Sequence, residues 1–135
     1  MLPLLQLFFD SGTFVLIWMV QLVIYPSFLF YSSSDLISWH KTYTVRITMV
    51  VMPLMVGQLF LTLYALFEEV NTISIARGVL VLLIWISTFL IFVPIHNSIQ
   101  AGKFNTLLLQ KLVQRNWFRT LLWTLILATS PAFWN

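Results

Sequence analysis

The chain has two histidines, His40 in "DLISWHKTYTVR" and His96 in "VPIHNSIQAGKF", and no cysteine. Thiolate nucleophiles, thiolate metal ligands and disulfides are therefore excluded. An imidazole titrates near neutrality and takes a proton from an acidic carbon or a phenol. Arginine stays charged in proteins, so Arg46 and Arg119 are fixed cations. In a dry site, such a cation holds the anion that a base produces. His96, His40, Arg119 and Arg46 are thus the candidate catalytic set. Two imidazoles also suit axial ligation of a haem, which makes a haem protein through His40 and His96 an alternative. Small residues that would make room for a porphyrin are scarce around both histidines. A non-haem iron triad needs a carboxylate, and Asp35 is the only one nearby. No residue is assigned to a metal, and the cofactor stays open.

The elements that position these groups can be read from composition. The chain is 60% hydrophobic and 8% charged, where a soluble domain carries about a quarter charged residues. No Asp, Glu, Lys or Arg lies between Asp10 and Asp35, from Ile47 to Phe67, or from Gly78 to Gly102. Each run exceeds the roughly 18 residues that suggest a membrane-spanning helix. A fourth candidate, from about Leu107 to Ser130, carries Lys111, Arg115 and Arg119 in its first half. The expected fold is all-α, a single transmembrane four-helix bundle with helices at about 11–31, 42–67, 78–95 and 106–130. "SSSD" is a plausible N-cap for a helical lead-in carrying Trp39 and His40. The N-terminus lacks the basic segment of a signal peptide, so its hydrophobic stretch is read as a retained helix.

Charge sets the orientation. Residues 31–46 and 97–119 share one side and hold Lys41, Arg46, Lys103, Lys111, Arg115 and Arg119 against Asp35. The termini and residues 68–78 share the other, with Arg77 against Asp10, Glu68 and Glu69 as solvated charges. Basic residues favour the cytoplasm. The reading is a multi-pass protein of a bacterial inner membrane, both termini outside and the basic loops cytoplasmic. Its partners are the lipid bilayer and a lipophilic small molecule. The net charge of +3 then reports orientation and implies no nucleic acid.

Helices 1 and 3 end on the cytoplasmic side, where helices 2 and 4 begin. Trp18, Gln21, Tyr25 and Phe28 form one helical stripe, and Trp85, Phe89, Phe92 and His96 form another. Helix 4 repeats the pattern with Asn116, Arg119, Thr120 and Trp123, and helix 2 adds His40, Tyr43 and Arg46. Lipid solvates these polar groups poorly, so they are expected to face one another. The expectation is a cytoplasm-facing pocket. Tyr25, Tyr43, Gln21, Trp85, Asn97, Asn116 and Trp123 would bind its occupant. Gln21 and Gln58 also have a purely structural use as interhelical hydrogen-bond partners.

"VPIHNSIQAGKFN…LLLQKLVQRNWFRTLLW" resembles the third-to-fourth-helix region of the anthrone oxygenase-like membrane proteins, and "IYPSF" resembles their aromatic-proline element at the end of helix 1. The chain as a whole is also similar to small four-helix bacterial membrane proteins. The first resemblance implies oxidation of a tricyclic anthrone to a quinone by dioxygen, with no firmly implied metal or flavin. It maps onto Pro94, His96, Asn97, Asn116, Trp117 and Arg119. The chain differs in carrying "HN" after the proline and "NWFR" where a histidine is expected ahead of the arginine. The function so implied is an oxygenase or oxidoreductase acting on a lipophilic aromatic or quinone-like molecule. The alternative from the residues alone is a non-catalytic lipid- or quinone-binding or accessory membrane subunit.

Overall fold

The computed structural model describes residues 1–134. Among these there are four long helices and no strand: α1 (Leu2–Phe30), α2 (Ser33–Glu68), α3 (Thr72–Gln100) and α4 (Thr106–Ala128). The first three are long and apolar enough to cross a membrane. The fourth is interrupted by its cations. Short connections alternate the direction of the helices. α1 packs on α2 and α4, and α3 packs on the same two neighbours.

Local chemistry sets the helix starts. Ser32 Oγ accepts the Asp35 amide at 3.2 Å, so α2 starts at the expected "SSSD" cap. Asn71 and Ser74 exchange reciprocal 2.9 Å bonds in a capping box at the start of α3. Asn105 Oδ1 accepts the Leu108 amide at 2.9 Å to begin α4. α3 is terminated by Gly102, whose φ of +70° is accessible to glycine at little cost.

Helices α1 to α3 all exceed the expected bounds. α1 begins at Leu2 rather than near residue 11, and the lead-in bearing His40 is continuous with α2. α3 runs past Ile95 to Gln100. Charged and polar residues mark turns and loops less sharply than expected, because Asp10, Lys41 and Arg77 all lie within helices.

Two interruptions matter for the site. α1 opens into a π-turn at Val20–Ile24 and α3 does so at Thr88–Phe92. The Tyr25 amide bonds to the Val20 carbonyl, and the Val93 amide to that of Thr88. Each of these amides directly precedes a proline, Pro26 or Pro94. A proline ring clashes with the carbonyl four residues earlier and supplies no N–H, and a widened turn relieves both problems. One extra residue in a turn rotates the remainder of the helix by about 100°. Tyr25 and His96 lie just beyond these rotations.

The core runs through Ile17, Met55, Val81, Ile84, Leu112 and Ile126. The outward faces are as apolar as the core. Phe8, Val15, Met49, Phe60, Leu82 and Leu90 are all largely exposed.

Candidate functional site

Tyr25, His40 and His96, from three different helices, form a hydrogen-bonded chain. His40 Nε2 lies 2.7 Å from His96 Nδ1, and His96 Nε2 lies 3.0 Å from the Tyr25 hydroxyl. The two imidazoles stack with centroids 5.0 Å apart. Phe28 packs edge-on against His40, and Tyr43 lies tilted against both imidazoles. Two proton arrangements satisfy the chain. In the first, Tyr25 donates to His96 and His96 donates to His40. In the second, His40 donates to His96 and His96 donates to the Tyr25 oxygen, which frees the phenolic O–H for another acceptor. The first becomes the second when a proton enters at Tyr25 and one leaves from His40 Nδ1. That last atom is buried without a partner among the described residues. The chain therefore takes up or delivers a proton at its Tyr25–His96 end.

A cleft of about 370 Å³ lies beside this chain. Ile17, Val20, Tyr25, Arg119 and Trp123 form its buried floor, and Tyr43, Met55, Trp85, Phe92 and His96 wall it. The exposed lining residues are Thr48 and Met52 on α2, and Phe89, Val93, Asn97 and Gln100 on α3. The mouth is thus a gap between α2 and α3 on the flank of the bundle. At the end where α2 and α4 begin, the Gln100 amide donates to Thr44 Oγ1 at 2.9 Å and straps the two helices together. The pocket was expected to open at that end, where the two strap residues and the exposed Asn97 line the cleft.

Arg119 is the charge in the cleft. It is 6% exposed, and its guanidinium carbon lies 4.4 Å from the Phe92 ring centroid and 5.0 Å from that of Trp123. These aromatic faces stabilise the cation. No carboxylate does so, because the one ion pair among the described residues joins Asp10 to Arg77. Arg119 Nε is buried with no hydrogen-bond partner among the described residues, while the guanidinium reaches the Tyr25 hydroxyl. The free N–H suits an oxygen with excess electron density.

Seven of the eleven candidate residues line the cleft: Tyr25, Tyr43, Trp85, His96, Asn97, Arg119 and Trp123. His40 stands behind His96 and touches the cleft only through it. Arg46 is exposed and does not line the cleft. The inner stripe of α2 passes through Ile47, and Arg46 is one position away, about 100° around the helix. Gln21 and Asn116 also lie outside. Gln21 Oε1 accepts from Asn116 Nδ2 at 3.0 Å and from Thr120 Oγ1 at 3.2 Å, and Gln21 Nε2 donates to the Val113 carbonyl at 3.1 Å. Their polar groups bind α1 to α4, the structural use open to Gln21 from the start.

Sequence reasoning missed a second polar centre. Asp10, expected to be solvated, is 1% exposed and pairs with Arg77 at 2.8 Å. Gln58 Nε2 donates to Asp10 Oδ1 at 2.8 Å, and Trp123 Nε1 donates to Gln58 Oε1 at 3.0 Å. Arg77 also donates to the Ile126 carbonyl at 2.7 Å. All four helices meet in this network. It holds Trp123, the end wall of the cleft, from behind. The available signal was opposite charge at equal depth on α1 and α3, hidden by placing both residues in loops.

The two histidines do not fit a haem as they stand. An iron between two imidazoles needs their nitrogens about 4 Å apart, at ~2 Å per bond, and here they are bonded to each other at 2.7 Å. Comparison with protein-family models, with curated proteins and with solved structures finds no match for this chain.

Proposed function

We propose that the chain is an integral membrane four-helix bundle of a bacterial inner membrane, with both termini outside and its basic segments cytoplasmic. Its cleft would bind a lipophilic aromatic or quinone-like molecule through an oxygen atom. The apolar outer surface supports the membrane placement, since exposed apolar patches of this extent are foreign to water-soluble monomers. The distribution of cations supports the orientation.

The observation that carries the ligand reading is the Arg119 guanidinium, which has no carboxylate partner among the described residues, sharing one aromatic-lined cleft with His96 and Tyr25. Tyr25 and His96 pass a proton to or from the ligand oxygen or an acidic carbon conjugated with it. Arg119 holds the resulting oxyanion, and the aromatic walls fix the ring. In the oxygenase form of this reading, a methylene between two aromatic rings loses a proton to the chain, and the enolate rests on Arg119. Dioxygen is the oxidant. One oxygen atom stays on the carbon as a new carbonyl and the other leaves as water with the two methylene hydrogens, so no other reductant or oxidant is required.

Non-catalytic binding of a quinone-like molecule is the second reading. It is favoured by the buried, unpartnered His40 Nδ1, which gives the chain no outlet to water.

The test is extraction of purified protein followed by mass spectrometry of the co-purifying aromatic compounds. Anthrone is then supplied under oxygen. A compound that is retained by the parent chain and lost in R119Q supports the site, and its absence from both sinks it. Anthraquinone formation with matching oxygen uptake, lost in H96A, supports catalysis. Retention without turnover selects the binding reading.

A further inference from the structure

Two properties of the cleft go beyond holding a ring: its size and the position of its mouth. About 370 Å³ is near the small end of ligand sites, which run from roughly 300 to 1,000 Å³. A ring system with its oxygens fits within such a space. The mouth lies on the flank, between Thr48 and Met52 of α2 and Phe89 and Val93 of α3. Its one hydroxyl, Thr48 Oγ1, is spent on the Thr44 carbonyl at 2.6 Å. Met52, Phe89 and Val93 beside it are hydrocarbon or thioether, and methionine adapts readily to irregular apolar partners. The surface around this stretch is apolar too, with Met49 73% and Leu90 72% exposed. The polar lining residues Asn97 and Gln100 lie toward the other end, where the Gln100–Thr44 bond bridges the two helices.

We infer that the occupant is an amphiphile with a planar oxygenated ring head and a single long hydrocarbon tail, a tailed quinone or phenol. Its head sits against Arg119 and His96, and its tail leaves between α2 and α3 past Met52 and Val93 into the bilayer. This rests on the ring-binding reading above and names its substrate class. The head is a ring because the walls are rings. Trp85 and Phe89 stack at 5.8 Å with planes 30° apart, and Phe92 and Trp123 face the cleft from other sides. The donors, Arg119 and the Tyr25–His96 end, match a carbonyl or phenolic oxygen. Such a molecule stays in the membrane throughout, reaching the site sideways from the lipid rather than from water.

The experiment uses the full chain in lipid nanodiscs. It is titrated with a 1,4-benzoquinone bearing a ten-carbon alkyl chain and with the same ring bearing a methyl group instead. Quenching of tryptophan fluorescence reports occupancy, since Trp85 and Trp123 line the cleft. Empty nanodiscs give the lipid partition of each probe, and affinities are expressed per mole of lipid. The tailed quinone is expected to bind about tenfold more tightly. V93F and T48F, both at exposed rim positions, should erase that advantage while leaving the short quinone within about twofold. R119Q should weaken both probes. If either bulky variant melts early, M52A reads the same contact by lowering the affinity for the tailed probe alone.

Equal affinity for the two probes, or rim variants that weaken both alike, overturns the tail assignment and leaves ring binding standing. Failure of both probes to bind, or binding indifferent to R119Q, overturns the ring reading as well. Displacement of the tailed quinone by decanoate at lower concentration than by the short quinone assigns the head to a carboxylate and overturns the ring class.

Discussion

His40 Nε2 and His96 Nδ1 face each other across 2.7 Å, joining the start of α2 to the end of α3. Residues this close act as a unit, and their effects do not add. H40A and H96A should each weaken quinone binding, and the double variant should fall short of the sum by about 1–2 kcal/mol. A double-mutant cycle on nanodisc-bound protein measures this. Additive losses would mean that His40 does not act through His96.

Arg119 offers a second prediction, in which stability and function part company. A buried charge without a counter-ion costs free energy, so an apolar side chain of similar volume in its place is not expected to destabilise the fold. R119M should therefore leave the melting temperature unchanged or raised while ligand affinity is lost. R119K should fail to restore full affinity, because an ammonium lacks the planar face that lies over Phe92 and Trp123. Thermal melts in detergent, paired with the quenching titration, separate the two effects.

The Asp10–Arg77 pair should behave in the opposite way. D10N leaves Arg77 as an uncompensated buried charge, at a cost of about 3–5 kcal/mol. The double variant D10L/R77M removes both charges and should recover most of that loss. Unfolding by a graded denaturing detergent checks the pair. Equal stability of D10N and the parent would show that Arg77 gains nothing from the carboxylate.

Pro94 tests the π-turn. With the ring removed, P94A allows Thr88–Phe92 to close into regular α-helical turns, which turns His96 by up to about 100° relative to the upper part of α3. The helix should persist by circular dichroism and gain stability, since an interior proline costs about 3 kcal/mol. Ligand binding should fall at least as far as in H96A. Unchanged binding would separate the π-turn from the site.

Much of the site could be read from helical spacing. Trp85, Phe89, Phe92 and His96 all line the cleft, although the π-turn at Thr88–Phe92 interrupts the 3.6-residue period between them, and Tyr25 and Arg119 converge on it. Spacing placed Arg46 wrongly because three residues turn an α-helix only about 300°, so two such steps from His40 carry Arg46 about 120° off its face. It also put Gln21 and Asn116 in the pocket, where polarity says only that a partner is needed and not which one. Asp10 and Arg77 were assigned to water because each stands alone in its local sequence. Their complementarity spans 67 positions.

The amino-acid order by itself determined that this chain is helical and apolar, that a cap stands at "SSSD", and that its cations gather at one end. Those properties are local, set by caps, by uncharged runs and by side-chain transfer energies that each residue carries regardless of its neighbours. Only the tertiary structure decided that His40 bonds His96, that Asp10 neutralises Arg77 while Arg119 goes without a counter-ion, and that the cleft opens on the flank between α2 and α3. Those outcomes depend on the angular register of one helix against another. Two wide turns, each ending beside a proline, shift that register by amounts that the sequence period does not contain.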